Sequence, residues 1–257
     1  MRTFKLFFVS AILLILSGCD SIFDTCGTPP EGWAYLGNGQ PLPMLETIPA
    51  GLRIVTLGSS STEGIGATVP AKNYPFQLQR VLDRRFPDEH IEVINSGVAG
   101  EVVADNLVRL DRDVLSLTPD LVIWQLGTND TIYVRDAVTV MEQVQVGITR
   151  IQNSGARLAL LSLQPVADEA RGKPMIEMNN ALRAIALKNN VPFLDRHYLM
   201  SWWISSGSLY EDEVVGADQL HMTDRSYECL GIRMADVIPG LAEGLVPRPR
   251  ATMPAAP

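Results

Sequence analysis

Short apolar runs alternate with longer stretches of helical periodicity through most of this chain. Arg53-Ile54-Val55-Thr56-Leu57, Ile91-Glu92-Val93-Ile94-Asn95, Leu121-Val122-Ile123-Trp124-Gln125-Leu126 and Leu158-Ala159-Leu160-Leu161-Ser162 are mostly apolar and β-branched, and Val191-Pro192-Phe193-Leu194 is a shorter fifth run. Runs of this kind predict strands buried on both faces. Between them, apolar positions at helical spacing predict helices over residues 74–86, 104–117, 137–152 and 175–188, and a last one over 224–241 with an interruption near Pro239. Alternating strands and helices require a parallel sheet covered on both faces. Right-handed crossovers then give an α/β architecture, a three-layer α/β/α sandwich around a central parallel five-stranded sheet. Sites in such sheets lie beyond the carboxyl ends of the strands. No internal repeat is apparent.

Outside this alternation the pattern changes. Arg2 and Lys5 precede an apolar run, residues 7–16, which is too short to span a bilayer and ends in Leu16-Ser17-Gly18-Cys19. This resembles the lipobox of bacterial lipoproteins, and the resemblance implies a signal peptide over 1–18, cleavage before Cys19, and a diacylglycerol on its sulfur. Asp20 resembles the signal that keeps such lipoproteins in the inner membrane, facing the periplasm. Residues 19–52 are rich in Pro and Gly with little periodicity, and are expected to form a tether. Residues 53–245 then make one domain, and the Pro/Ala-rich residues 246–257 a disordered tail.

Charge and cysteine usage narrow the function class. The net charge is −8 and no basic run is present, so a nucleic-acid partner is not expected. With Cys19 lipidated, Cys26 and Cys229 remain in an oxidising compartment, either bridged or as two free thiols. The cysteine spacing fits no zinc pattern, and the three histidines do not cluster, so no metal site is expected.

Four segments carry chemistry. Gly58-Ser59-Ser60 follows the first run, and the second residue after the glycine, Ser60, is the nucleophile candidate among Ser59, Ser60 and Ser61. A serine hydroxyl attacks only when a base takes its proton. Asp218 and His221, three residues apart, supply that base and a carboxylate to orient it. His90 and His197 lack such a neighbour. Gly100, closing Asn95-Ser96-Gly97-Val98-Ala99-Gly100, and Asn129, in Gly127-Thr128-Asn129-Asp130, are candidate donors to a developing oxyanion, together with the N–H of Ser60. Taken singly, each segment reads equally well as a turn, a helix cap or a solvated pair. Their order and spacing give the set its weight.

That ordered set resembles the blocks of the SGNH, or GDSL-like, hydrolase superfamily over most of residues 53–231. Ser60 matches the block I serine, Gly100 the block II glycine, Asn129 the block III asparagine, and Asp218 with His221 the block V pair. The resemblance implies a flavodoxin-like α/β/α fold, a serine-ester mechanism, and neither metal nor organic cofactor. Two departures stand out. Ser59 replaces the acidic residue usual before the nucleophile, which leaves the hydrogen bonds supporting that loop unassigned. Thr62 stands where an α/β-hydrolase elbow of the Gly-x-Ser-x-Gly type would need glycine.

The expected reaction is hydrolysis of carboxylic esters through an acyl-enzyme, on short-chain (acetyl) esters of extracytoplasmic carbohydrate. Alternatives are a lysophospholipase or lipid esterase at the membrane surface, an O-acyltransferase using the same triad, and a non-catalytic binding lipoprotein with a relic site. Trp202 and Trp203 would either line an acyl or sugar pocket or pack a helix.

Overall fold

The structure, a computed structural model, describes residues 26–133, 136–166 and 169–249, with the backbone only at 169–171. The signal peptide over 1–18, the lipidation at Cys19 and the tail from 250 onward lie outside the described residues.

Six strands form one sheet among the described residues: β1 (Ala34–Tyr35), β2 (Arg53–Gly58), β3 (Glu92–Gly97), β4 (Leu121–Gln125), β5 (Arg157–Leu161) and β6 (Phe193–Leu194), in the order β1-β6-β5-β4-β2-β3. Strands β2 to β6 are parallel, and β1 pairs antiparallel with β6. The parallel part is the five-stranded sheet expected from the sequence. Alternation along each strand sends side chains to opposite faces. Ile54, Leu121, Ile123, Ala159 and Leu161 enter one buried cluster, while Val55, Leu57, Val122, Trp124, Leu158 and Leu160 enter the other.

The helices are α1 (Ser60–Glu63), α2 (Tyr74–Arg85), α3 (Val103–Asp113), α4 (Thr128–Ile132), α5 (Ala137–Asn153), α6 (Glu169–Lys188), α7 (Arg196–Ser205), α8 (Glu211–Val214) and α9 (Asp224–Ala242). On the first face α2 packs along α9, beside α7; α3, α5 and α6 cover the second. Local chemistry starts the long helices. Asn73, Asp136 and Asp195 accept from the N–H groups of Phe76, Thr139 and Tyr198, all at 2.9 Å. Thr223 and Ser226 cap α9 reciprocally. Pro239 does not interrupt α9, because tertiary packing holds the helix through it: a Cβ on Gly240 would lie 2.3 Å from the Pro43 carbonyl oxygen. Helix α6 starts at Glu169, upstream of Pro174, earlier than the pattern indicated.

The expected tether is corrected from Cys26 onward. Trp33, Ala34, Leu42, Ile48 and Leu52 are buried in the first core. Strand β1 extends the sheet through Ala34 opposite Leu194 and Tyr35 opposite Phe193, and a disulfide joins Cys26 to Cys229 of α9. Of the two states left open for these cysteines, the structure holds the bridge. The physical reason is that strand pairing, burial and a covalent bond fix this segment without any long periodic run. The expected disordered tail is likewise corrected at its start. The Arg248 N–H donates to Asp120 at 2.8 Å, and its guanidinium to the Ser154 carbonyl at 2.9 Å.

The strand order reverses between β2 and β4, whose carboxyl ends therefore flank the crevice where sheets of this kind bind ligands.

Candidate active site

Strand β2 leaves the sheet through Gly58. A Cβ here would sit 2.3 Å from Thr62 Oγ1 and 2.7 Å from Gln125 Oε1, so the turn admits only glycine. Ser60 then opens α1, buried to 8% exposure, with its N–H at the first helical position, where no intrahelical partner exists. The loop is supported by a residue on the neighbouring strand. Gln125 Oε1 accepts from the Ser59 N–H at 3.0 Å, the Ser59 hydroxyl at 3.2 Å and the Thr62 hydroxyl at 3.1 Å. Serine at position 59 thus acts as a donor, and the acceptor that an acidic residue would bring sits across the sheet at Gln125.

Strand β3 delivers the second segment. A Cβ on Gly97 would lie 2.1 Å from the Glu63 nitrogen, so β3 and α1 touch backbone to backbone. Asn95 donates to the Thr62 carbonyl at 2.7 Å, and the Val98 N–H donates to the Gly58 carbonyl at 3.0 Å. Gly100 has φ +81° and open space beside its Cα. Glycine is required there for the backbone conformation, and that space leaves the chain approachable.

The third segment follows β4. Gly127 has φ +96°, and a Cβ would press 2.8 Å from Leu182 Cδ1. Asn129 follows in α4, buried to 7% exposure, and its Nδ2 donates to the Glu101 carbonyl at 2.8 Å. One of the two amide hydrogens is so engaged, which leaves the other available to a ligand.

The fourth segment is a tight loop between α8 and α9. Gly216 donates to the His221 carbonyl at 2.8 Å, and Gln219 turns the chain at φ +56°. Asp218 Oδ2 lies 2.6 Å from His221 Nδ1, while Oδ1 accepts the N–H groups of Leu220 and His221 at 3.0 and 2.9 Å. Burial works to raise the Asp218 carboxyl. The hydrogen bonds from the His221 ring and from both backbone N–H groups outweigh that and hold it below its ordinary value. With Nδ1 engaged by the carboxylate, Nε2 is the nitrogen left for proton transfer. A Cβ on Gly66, in the loop after α1, would come within 2.9 Å of His221 Cβ. The nucleophile loop and the histidine loop are therefore in contact.

The structure brings Asp218 and His221 into direct contact, and links Asn129 to the residue after Gly100. Ser60 joins them through its neighbours. Gln164, after β5, accepts from the Ser61 hydroxyl at 2.9 Å and donates to the Leu220 carbonyl at 3.0 Å. Beneath the site, the Arg109 guanidinium binds the Glu101 carboxylate at 2.7 and 2.9 Å, Ser96 Oγ at 2.8 Å, and the carbonyls of Ser96 and Gly58 at 2.9 and 3.1 Å. Sequence reasoning did not single out Gln125, Gln164 or Arg109. None carries a local signal: Gln125 lies inside an apolar run, and the contacts of Gln164 and Arg109 are with residues distant in sequence.

The other candidates fall elsewhere. His90 is an exposed turn residue with φ 48°. His197 opens α7, and burial pushes its imidazole below the ordinary value. Trp203 is fully buried and Trp202 packs against the same core, so this pair packs a helix. A cleft of about 580 Å³ beside the histidine loop is lined by Glu211, Asp212, Val215, Gly216, Ala217 and Gln219.

Comparison with known proteins bears on this arrangement. An arylesterase from Vibrio mimicus is 27% identical over 112 residues, which is 44% of this chain and 54% of that protein. The chain thus spans about half the length of the curated relative it matches. The lipase/acylhydrolase of Enterococcus faecalis superposes with a TM-score of 0.63 at 26% identity, covering 77% of this chain and 100% of that one. Axe2, an acetylxylan esterase from Geobacillus stearothermophilus, gives 0.62 at 17% identity over 74% and 95% of the two chains. An acetyl xylan esterase, AlAXEase, gives 0.62 at 22% identity over 71% and 98%. The last two likenesses establish a shared fold. The model of the non-GDSL lipase-like family matches residues 25–243, taking in all four segments and the stretch from Cys26 that the structure packs into the core, and the chain belongs to that family.

Proposed function

We propose that this chain is a serine carboxylic ester hydrolase acting on short-chain, acetyl esters of extracytoplasmic carbohydrate. The observation that carries the reading is the Asp218–His221 pair at 2.6 Å, in a loop touching the one that bears Ser60. Ser60 Oγ attacks the ester carbonyl while its proton passes to His221 Nε2. The tetrahedral oxyanion accepts from the N–H groups of Ser60 and Gly100 and from the free hydrogen of the Asn129 amide. Collapse breaks the ester C–O bond, and the imidazolium returns its proton to the leaving alcohol. Water, deprotonated by His221, then cleaves the acyl-enzyme and releases the carboxylic acid. Asp218 holds the imidazole in the productive tautomer throughout.

Acetyl specificity is supported by the solved structures of the same fold named as acetyl xylan esterases, and by the cleft beside the histidine loop, where Glu211, Asp212 and Gln219 offer polar groups to a sugar. The Cys26–Cys229 bridge suits an oxidising compartment, where Cys19 carries the lipid that anchors the body to the inner membrane, facing the periplasm. One observation favours a lipid ester instead. Ile65 after α1, Val98 after β3 and Tyr133 after α4 are apolar side chains 39, 42 and 54% exposed on the segments that carry the site.

The test is hydrolysis of p-nitrophenyl esters from acetate to palmitate by the purified protein, beside Ser60→Ala. Turnover biased to acetate and abolished in the variant supports the proposal. A long-chain bias selects the lipid ester. Acyl transfer to an added sugar at the expense of hydrolysis selects the transferase, and turnover that survives Ser60→Ala overturns the nucleophile.

A further inference from the structure

Gln164 is fully buried, yet its side-chain amide reaches three separate segments of the site. Oε1 accepts from the Ser61 hydroxyl at 2.9 Å and the Thr128 hydroxyl at 3.3 Å, and Nε2 donates to the Leu220 carbonyl at 3.0 Å. The orientation of the amide is fixed by chemistry. A carbonyl oxygen only accepts, so the NH₂ group must face Leu220, and the amide oxygen faces two hydroxyls able to donate. Ser61 directly follows the candidate nucleophile, Thr128 directly precedes Asn129, and Leu220 directly precedes His221. One rigid planar group thus spans the neighbours of nucleophile, oxyanion donor and base.

The histidine loop is anchored where it ends, by Met222 buried in the first core against Arg196 and by the close approach of Gly66 to Met222 and His221, while its Leu220 turn is held from outside by Gln164. The loop's own bonds run within it, from Asp218 to Leu220 and His221 and from Gly216 to His221. They keep the carboxylate and imidazole together, but they do not set the distance from the pair to Ser60. Asp218 is half exposed, with 52% of its side chain accessible. We infer that Gln164 is a positioning residue: through the Leu220 carbonyl it locks the Asp218–His221 loop in register with Ser60 and Asn129. This rests on the serine-hydrolase reading above. Removing the amide lets Asp218 and His221 drift as an intact pair, and a displacement of about 1 Å from reacting geometry costs on the order of a hundredfold in rate.

The experiment compares wild type, Gln164→Leu and Gln164→Glu in the full chain. Active sites are counted by exhaustive labelling with a serine-directed fluorophosphonate, the labelled residue is mapped, and kcat and KM on p-nitrophenyl acetate are expressed per titrated site. Leucine removes all three contacts. Glutamate keeps the acceptors for Ser61 and Thr128; ionised it has no donor for Leu220, whereas protonated it can still donate, so kcat per site is followed to high pH, where the carboxylate is charged. The expected result is a 10- to 100-fold loss of kcat per site in both variants, read for glutamate at high pH, with KM within about threefold. A merely structural role would lower the number of titratable sites and leave kcat per site at the wild-type value, which overturns the inference. Loss in Leu with none in Glu at high pH, where the carboxylate is ionised and cannot donate, also overturns it, because the Leu220 contact would then be idle. If wild type itself is not labelled at Ser60, the serine-hydrolase reading fails and the inference falls with it.

Discussion

Arg109 ties two of the four segments together directly and reaches a third through Glu101, and replacing it by methionine tests how the site is held. The guanidinium is 7% exposed and its partner Glu101 15%, measured on their side chains. Arg109→Met keeps most of the stem volume but strips the fork. The Glu101 carboxylate then loses its two closest charge-assisted bonds, and the carbonyls of Gly58 and Ser96 lose donors in a region with little water. Breaking a buried pair by removing one partner costs about 3–5 kcal/mol. Glu101 retains some access to water and a bond from Asn106 at 2.7 Å, so the lower end applies, about 3 kcal/mol. For a domain of this size that lowers Tm by about 6–12 °C. Arg109→Lys keeps a charge near Glu101 without the planar fork and should recover only part of the loss.

Urea unfolding followed by tryptophan fluorescence measures the difference, with an unchanged m-value showing that both variants still unfold in the same way. The Glu101 carbonyl receives Asn129 Nδ2, so loosening residue 101 should also reduce kcat at a temperature where the variant remains fully folded. A stability loss below about 1 kcal/mol would refute the reasoning, because it would mean that the buried fork is replaced by water at no cost.

Two further outcomes follow from the packing. Cys26 and Cys229 are 203 residues apart, and the chain-entropy account assigns closure of so long a loop about 5 kcal/mol; Cys26→Ser with Cys229→Ser should therefore lower unfolding stability by about 2–5 kcal/mol, and a loss below about 1 kcal/mol would show that burial alone secures the segment. Burial pushes the Tyr74 hydroxyl up to about 12, against an ordinary 10.0. Its stabilising contribution is complete below pH 10.0 and is lost as pH climbs from there through about 12, because the unfolded chain ionises first. Urea midpoints at about pH 9 and about pH 11 should fall less in Tyr74→Phe than in wild type, and equal falls would place the alkaline sensitivity elsewhere.

Four of the parallel strands were legible because each is a dense apolar run bounded by polar or glycine residues; β3, expected to be buried on both faces, is an edge strand with no buried residue, carried by Val93 and Ile94 beside β2. Strand β1 was not legible, since two residues carry no period and Ala34–Tyr35 is fixed by pairing with Phe193–Leu194 and by a covalent bond to α9. The site segments could be read because glycine leaves a local trace. Gly127 must adopt positive φ and Gly58 must clear Thr62, and such positions mark strand exits whatever the rest of the sequence does. The scaffold beneath them left no such trace. Gln164 bonds Ser61 across 103 positions and Arg109 bonds Gly58 across 51, so neither contact has any local signature. A long-range hydrogen bond from an ordinary glutamine looks, in sequence, like any other glutamine.

The replacement of an acidic residue by Ser59 therefore changes how the site is electrostatically arranged without dismantling it. Around Ser60, the acceptors that hold the loop are neutral amide oxygens, Gln125 beneath Ser59 and Thr62, and Gln164 beneath Ser61. Full charges border it: Glu63, in α1 with Ser60, accepts from the Ala99 N–H beside Gly100, and Asp130, directly after Asn129, accepts from the Val103 N–H. Arg109 and Glu101 neutralise each other under the second segment, and Asp218 faces solvent with half its surface. A carboxylate next to a nucleophile opposes the negative charge that develops on the oxyanion more strongly than an amide oxygen, which carries only a partial charge. Among the described residues, the anionic side chain hydrogen-bonded to a member of the Ser60–His221–Asp218 set is Asp218 itself. Water screens its field, so its contribution comes from the 2.6 Å bond that orients His221 more than from its charge at Ser60. That places orientation above electrostatics in the histidine loop, which is why a neutral, buried amide such as Gln164 is suited to hold it.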